Sequence, residues 1–378
     1  MNVSISDAVP AHKTAPRSIS ARAARPRGLY DLTPPELETR VLDRGFPAYR
    51  AHQVWGWAYR QLVLGYSEMT NIPSALQGAL ATEAPVSLLE PVRSAVSADG
   101  ETIKTLYRTS DDQVLETVLM LYSNRATVCV SCQVGCAVGC AFCATGLLGL
   151  ARNLGAGEMV AQVVGAAREA RLRGRELTNI VMMGMGEPLQ NYTETMKFVD
   201  IVHNPDGLDI GARRITVSTS GIVPKIDSLA AEPLQINLAV SLHAPDDELR
   251  SRLVPINRRY PIATLMAAVD RYTAKTRRRV SFEYALMRGI NDSEQTAREL
   301  AHLLRGRLCH VNIIPLNPVD VLPYERPEPK GIERFAEIVQ AAGIPTTVRY
   351  SRGLDIDAAC GQLRAKELGT AAGSHTTS

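Results

Sequence analysis

Cys136-Ala-Val-Gly-Cys140-Ala-Phe-Cys143 is the stretch on which the reading of this chain turns. Cys129 and Cys132 precede it, so five of the seven cysteines fall in one short segment, and only Cys309 and Cys360 lie elsewhere. An odd count, clustered in a long chain with no secretory signal, argues against a disulfide framework and for metal or redox chemistry in a reducing cytosol. A zinc ribbon wants two close pairs about 15 to 20 residues apart. Here Cys129/Cys132 and Cys140/Cys143 have only seven residues between them. A ferredoxin run wants four ligands, commonly C-x2-C-x2-C with a remote fourth. The x3 then x2 spacing fits neither, and structural zinc stays as the minor alternative. Three thiolates in one loop can hold three irons of a [4Fe-4S] cluster and leave the fourth open to a small molecule that bears an amine and a carboxylate.

Outward from this loop the pattern alternates between apolar strands and amphipathic helices. Strands are expected at 127–130, 179–183, 214–218, 235–242, 280–286, 308–315 and 345–350, with helices at 158–172, 192–203, 262–272, 293–304 and 332–341. Strand then helix, repeated, implies a parallel sheet with crossovers, and about six such units suit an α/β partial (β/α)6 barrel. Chemistry then sits beyond the carboxyl ends of the strands, where the cysteine loop and every motif below fall.

Upstream the pattern is helical: Thr33 with Pro34 reads as an N-cap and first helical position, Leu37, Val41 and Leu42 follow at helical spacing, and Gly45 stops the run. A second helix carries Trp55, Trp57 and Tyr59, and a third starts near Pro73. The default role of both tryptophans is packing. The expected organisation is a disordered basic tail (1–27), a small all-helical accessory domain (28–95), a β-rich connecting segment (96–125), the barrel (126–365) and a flexible tail (366–378).

The 378 residues are 45% apolar and 21% charged, which excludes a disordered, collagenous or coiled-coil protein. No apolar run approaches the roughly 20 residues of a membrane span, so a soluble, cytoplasmic protein without a membrane partner is expected. Net charge is +3; the first 27 residues carry five basic side chains against Asp7, a net +4, and the rest is −1. Any nucleic acid must therefore be met through local patches such as Arg213-Arg214, Arg258-Arg259, and Lys275 with Arg277-Arg278-Arg279.

The remaining strand ends carry polar groups. Gly184-Met-Gly186-Glu187-Pro188 closes the second strand; its glycines permit close backbone approach to a ligand, and Pro188 keeps Glu187 extended. Ser218-Thr-Ser-Gly follows the third strand, Ser241-Leu242-His243 the fourth, and Asn317 the sixth. Singly each is an ordinary turn or cap; together they line up where a polar ligand would lie. The cysteine triplet with Phe142 before its last member resembles the signature of the radical S-adenosylmethionine (SAM) superfamily, and Gly-Glu-Pro looks like that superfamily's element for the SAM amino group.

Longer strings narrow the resemblance. Cys129-Val-Ser-Cys-Gln-Val-Gly-Cys136, Gly-Met-Gly-Glu-Pro, Ile-Thr-Val-Ser-Thr-Ser-Gly-Ile-Val-Pro, Ser-Leu-His-Ala-Pro and Asp355-Ile-Asp-Ala-Ala-Cys360-Gly-Gln-Leu together resemble the RlmN branch of the RlmN/Cfr RNA adenine methyltransferases, from about residue 30 to 365. The resemblance implies a [4Fe-4S] cluster on Cys136, Cys140 and Cys143, and SAM held by Gly186, Glu187, Ser218, Ser241, Leu242, His243 and Asn317. It implies two SAM per turnover, with Cys360 as methyl carrier, Cys129 as its partner in a transient disulfide, and Glu116 as general base. Cys132 departs from the serine expected there in many relatives, and Cys309 reads as core.

The implied reaction is methylation of adenine carbon 2 in 23S ribosomal RNA at the peptidyl-transferase centre and in transfer RNA beside the anticodon. Carbon 2 lies between two ring nitrogens and is too electron-poor to attack a sulfonium methyl, whereas a carbon radical adds there. The adduct must then lose a proton and its bond to sulfur, which a carboxylate and a second thiol provide. The implied partners are these RNAs and an electron donor such as flavodoxin with its reductase, the enzyme acting as a monomer. The rival readings are a Cfr-type carbon-8 methyltransferase and a non-catalytic RNA-binding protein with structural zinc.

Overall fold

The computed structural model describes residues 27–319 and 321–363. Most of the expected basic tail and all of the C-terminal tail lie outside the described residues. The helical unit holds α1 (Pro34–Leu42), α2 (Tyr49–Gly56) and α3 (Ser74–Glu83). Thr33 caps α1 in a reciprocal box: its hydroxyl accepts from the Glu36 N–H, and Glu36 accepts from the Thr33 N–H at 2.7 Å. Leu37 and Val41 are buried, but Leu42, expected on the same face, is 51% exposed. Trp55 is buried against Tyr59, with ring centroids 4.3 Å apart, and Trp57 gives its indole N–H to Asn71, so both tryptophans pack this unit.

Four strands follow: β1 (Leu89–Val96), β2 (Thr102–Thr109), β3 (Val114–Leu121) and β4 (Ala126–Cys129). They pair in an antiparallel meander. The sheet therefore begins at Leu89, inside the stretch read as helical. The signal is weak because β1 is an edge strand, largely exposed, with Pro91 at a register shift. A small hairpin, β5 (Gln133–Gly135) with β6 (Leu150–Asn153), then brackets the cysteine loop and the short α4 (Ala144–Leu147).

The barrel continues through α5 (Ala156–Leu172), β7 (Asn179–Met182), α6 (Tyr192–His203), β8 (Ile215–Thr219), α7 (Val223–Leu229), β9 (Asn237–Ser241), α8 (Asp247–Leu253), α9 (Ile262–Thr276), β10 (Val280–Leu286), α10 (Glu294–Leu304), β11 (Cys309–Pro315), α11 (Pro329–Ala341) and β12 (Thr346–Val348). From β4 onward the pairing is parallel, in the order β4-β7-β8-β9-β10-β11-β12, and β1 to β3 extend the same sheet at one edge. This is the expected open α/β barrel, with the antiparallel meander added.

One continuous core joins the helical unit to the barrel. Asp31 accepts the Gly157 N–H at the start of α5, a carboxylate placed at a helix N-terminus, and Lys197 of α6 holds Glu36 at 2.9 Å. No helix among the described residues is long and apolar enough to cross a membrane.

Candidate active site

The cysteine loop is pinched at its base. Cys136 N–H donates to Gly149 O at 2.8 Å across the β5/β6 hairpin, and Gly135 sits at φ +76° where a Cβ would lie 1.8 Å from that same oxygen. Only glycine allows the two arms so close. Farther along, Ala141 N–H is held by Leu253 O of α8. A separate apolar cluster of Val138, Leu249, Leu253, Val254, Met287 and Leu316 packs against Cys136, Cys140 and Phe142.

Cys136, Cys140 and Cys143 line one cavity at the carboxyl ends of the strands, together with Gly186, Glu187, Ser218, Ser241, His243, Asn317 and Cys360. Ten of the thirteen expected site residues thus meet in one space. Leu242, between two of them in sequence, buries its side chain in the core and hydrogen-bonds through its backbone. Burial pushes all three loop thiols up, Cys136 to about 12, so a bound soft metal is what would hold them as thiolates. Among the described residues no three metal-binding side chains converge on one point as a single ion requires. Three soft donors ringing a cavity instead suit separate corners of a cluster, with the apolar shell limiting water.

Gly186, at φ +107°, passes so near β5 that a Cβ would stand 2.8 Å from Gln133 N. The Glu187 N–H donates to Gln133 Oε1 at 2.9 Å. The Glu187 carboxylate is turned inward: it accepts from Leu189 N, Ser220 N and Ser220 Oγ at 3.0, 2.6 and 2.8 Å, and burial raises its pKa. Its side chain thus ties two loops together, and its carbonyl accepts the Gln190 N–H at 3.0 Å. Ser218 gives its hydroxyl to Met182 O.

His243 takes a left-handed backbone (φ +62°), and its Nδ1 accepts the Ala285 N–H at 2.9 Å, which places the ring proton on Nε2. Burial, and then the charge on Arg250, lower its pKa to about 3, so the imidazole is a neutral donor at pH 7. Its ring meets Phe142 edge-on, with centroids 4.7 Å apart.

Two residues unremarked in the sequence, Arg250 and Glu283, organise this space together with Ser220 of the Ser218-Thr-Ser-Gly string. Arg250, fully buried on α8, donates to Leu242 O, Ser241 O, Ser220 O and Asn257 Oδ1. Ser220 is the partner of Glu187. Glu283 on β10 lines the cavity; its Oε1 accepts from Asn312 at 2.8 Å, while Oε2 has no hydrogen bond and faces Arg349 at 4.0 Å. Nothing in the local sequence marks an arginine in Asp-Glu-Leu-Arg as buried; only the packed barrel reveals it.

Behind Cys360 lies a second chamber, open to solvent, lined by Cys129, Met183, Ile314, Val118, Met120, Arg349 and Cys360. Cys360 lines both chambers. Solvent reaches it through them, yet the surrounding protein still raises its thiol, as burial raises Cys129 to about 12; Arg349 opposes the shift at both. Cys129 ends β4 and Cys360 follows β12 at the far edge, so curvature of the sheet unites thiols 231 positions apart.

Glu116 lines neither chamber. It lies buried on β3, two residues before Val118 and therefore on the face that Val118 and Met120 present to the second chamber, and Lys104 pairs with it at 3.2 Å. Cys132 is buried with its N–H on Met185 O, and Cys309 sits in the core on β11. Arg213 and Arg277 to Arg279 gather instead around a pocket at the amino ends of β8, β9 and β10, opposite the cysteine loop.

Comparison with known proteins agrees with this geometry. Residues 130–301 match the model of the radical SAM superfamily, and residues 28–86 match that of the ribosomal RNA large subunit methyltransferase N-terminal domain. The chain is 50% identical over 352 residues to a probable dual-specificity RNA methyltransferase RlmN of Chloroflexus aurantiacus, covering 90% of this chain and 93% of the relative. A Geobacillus kaustophilus protein of the same description is 47% identical over 353 residues, covering 93% and 96%. The crystal structure of a radical SAM methyltransferase from Sphaerobacter thermophilus aligns with a TM-score of 0.89 at 64% identity, over 90% of this chain and 100% of that one. Membership implies a [4Fe-4S] cluster and SAM, the groups that the first cavity's residues suit. The chain belongs to the RlmN family of radical SAM RNA methyltransferases.

Proposed function

We propose that the protein methylates carbon 2 of adenine in 23S ribosomal RNA and in transfer RNA beside the anticodon, consuming two SAM per turnover. The observation that carries this reading is the place of Cys360, a single thiol shared by the cavity of the cysteine triplet and the chamber of Cys129. When bound, the cluster and SAM supply one-electron cleavage to a 5′-deoxyadenosyl radical. Cys136, Cys140 and Cys143 would hold the cluster. Gly186, Glu187, Ser218, Ser241, Leu242, His243 and Asn317 would hold SAM, with His243 Nε2–H as a fixed donor.

Cys360 would receive a methyl group at sulfur from one SAM and give up one hydrogen of that methyl to the radical that the second SAM would supply, so that its carbon bonds to adenine carbon 2 and the adduct's odd electron would pass to the cluster. Glu116, on the strand face of the second chamber, takes the ring proton, with Lys104 stabilising its charge. The Cys129 thiolate then attacks the Cys360 sulfur; the bond to carbon breaks with its electron pair on carbon, which takes up a proton to become the methyl group, and the disulfide left behind is reduced by an external thiol before the next turnover. The reading includes an external electron donor, a monomer in the cytoplasm, and an RNA-binding role for the helical unit of residues 28–95.

Mass spectrometry of nucleosides from RNA treated with the reconstituted enzyme, against 2-methyladenosine and 8-methyladenosine standards, tests it. The 2-methyl product is expected. The 8-methyl product, or activity retained by Cys360→Ala, would overturn it.

A further inference from the structure

The second chamber has two unlike ends. Its inner end is apolar, with Val118, Met120, Met183, Ile314 and Val348 around the two thiols. The rest carries Arg125, Arg349 and Arg352, and among the described residues no acidic side chain lines it. The guanidiniums of Arg125 and Arg352 both lie over the ring of Tyr122, 4.3 and 4.5 Å from its centroid. Arg352 is neutralised in part by Glu101. Arg125 is exposed and makes no side-chain hydrogen bond among the described residues, and the nearest acid to Arg349 is Glu283 at 4.0 Å.

Like charges gathered on one neutral ring repel unless an anion joins them. The donors of Arg125 are unspent, Arg352 commits only Nη1, to Glu101 and Leu121 O, and both guanidinium planes are set by stacking on Tyr122, the arrangement that suits phosphate oxygens. An apolar slot ending at two sulfurs, with cations around its aromatic lip, has the polarity of one nucleotide entering base first.

We propose that this chamber is the seat of the target nucleotide, and that Arg125 and Arg352, sharing the Tyr122 ring, take the backbone phosphates on either side of the base. This rests on the RNA reading above and extends it to residues that grip the strand. Arg349, deeper in, faces the nucleotide between the two thiols.

The test uses the holoenzyme and the shortest 23S or transfer RNA stem-loop that it methylates. Binding is measured by fluorescence anisotropy across a salt series, with each phosphate flanking the target adenosine replaced in turn by a neutral methylphosphonate. Arg125→Ala is expected to weaken binding roughly five- to tenfold at moderate salt and to lower the salt slope by about 0.7, the share of one single-strand phosphate. One methylphosphonate should weaken the wild-type complex similarly yet leave the Arg125→Ala complex unchanged. Arg125→Lys should restore most of the salt slope. Because Arg125 is exposed, stacks only at the surface on Tyr122 and makes no side-chain hydrogen bond among the described residues, the variant should keep a melting temperature close to that of wild type. Independent, multiplying losses from the arginine and every flanking phosphate would overturn the seat while the RNA reading stands. Failure of the wild-type enzyme to methylate either RNA would remove the RNA reading and the seat with it.

Discussion

Arg250 gives the sharpest test of how the SAM cavity is built. Its guanidinium is sealed from water and donates four hydrogen bonds, at 3.1 Å to Leu242 O, 2.7 Å to Asn257 Oδ1, 2.7 Å to Ser220 O and 3.1 Å to Ser241 O. Burial lowers its pKa to about 10, so it remains charged at neutral pH. A buried ion pair can often be replaced by apolar groups at little loss, because both partners are removed together. That escape is closed here, since three of the four acceptors are backbone carbonyls that stay after mutation. Each buried acceptor left bare costs about 1–3 kcal/mol, and water entering the vacated space relieves some of them. Arg250→Met should therefore lose about 3–5 kcal/mol, a large part of the roughly 5–15 kcal/mol that holds a typical domain. Arg250→Lys keeps the charge but not the planar fork, and should lose about 2 kcal/mol. Urea unfolding of the purified chain reads the stability, and S-adenosylhomocysteine binding reads the cavity, because the three carbonyls belong to the loops bearing Ser220, Ser241 and His243. An Arg250→Met variant within about 1 kcal/mol of wild type, with unchanged ligand affinity, would refute the reasoning.

Other tests reach different parts of the molecule. Gly186→Ala must place a Cβ 2.6 Å from Gln133 Cβ at φ +107°, so it should lose S-adenosylhomocysteine affinity by at least tenfold while the chain still folds; calorimetry measures it. Cys140→Ala should lower bound iron well below the about four per chain expected of wild type after anaerobic reconstitution, as read by iron assay and absorbance. Cys129→Ala should accumulate a covalent RNA–protein adduct visible on a denaturing gel, because addition precedes the step that needs its thiol. At Glu36, burial alone would raise the carboxyl, but Lys197, Arg27 and the Thr33 N–H outweigh it and hold it at about 2. The carboxylate is half-exposed, so its tie is worth about 1 kcal/mol or less. That contribution is full above pH 5 and is lost as the pH falls from about 4.5 toward 2. The melting temperature of Glu36→Gln should therefore trail wild type at pH 7 and approach it at pH 3.

The parts legible in sequence were those written locally. The Thr33-Pro34 cap, the helix Tyr192–His203 and the strand Val280–Leu286 each carry their signal in a dozen neighbouring residues, and the structure places them as read. The cysteine triplet and the polar strand ends were legible because a parallel barrel sends all its carboxyl ends to one side. What stayed hidden depends on distant partners. β1 reads poorly because an edge strand with Pro91 is stabilised by its neighbour β2 and not by its own pattern. Arg250 looks like an ordinary surface arginine until three loops close over it. The arginines at 277–279 looked like a patch for RNA, yet their position just before β10 sends them to the opposite end of the barrel, a consequence of strand direction that charge alone does not carry.

The loop bearing Cys360 is where these threads meet. Its backbone is fastened to the cysteine loop twice, by Ala144 N–H to Gly361 O at 2.8 Å and by the Thr145 hydroxyl to Leu363 O at 2.6 Å. A third tie comes from Asn317, whose amide donates to Cys360 O at 3.1 Å and to Ser351 Oγ at 2.8 Å. Lys104, the partner of Glu116, reaches the same loop through Asp357 O at 3.3 Å. A thiol that must serve two chambers in turn needs a fixed station between them, and a loop of this length has little local structure of its own to provide one. Its position is borrowed from the cysteine loop, from Asn317 and, through Lys104, from β2. Loosening any one anchor, as in Thr145→Val, should therefore shift the reactivity of Cys360 toward alkylating agents without touching a sulfur. A Thr145→Val variant whose Cys360 alkylates at the wild-type rate would show that the remaining ties suffice.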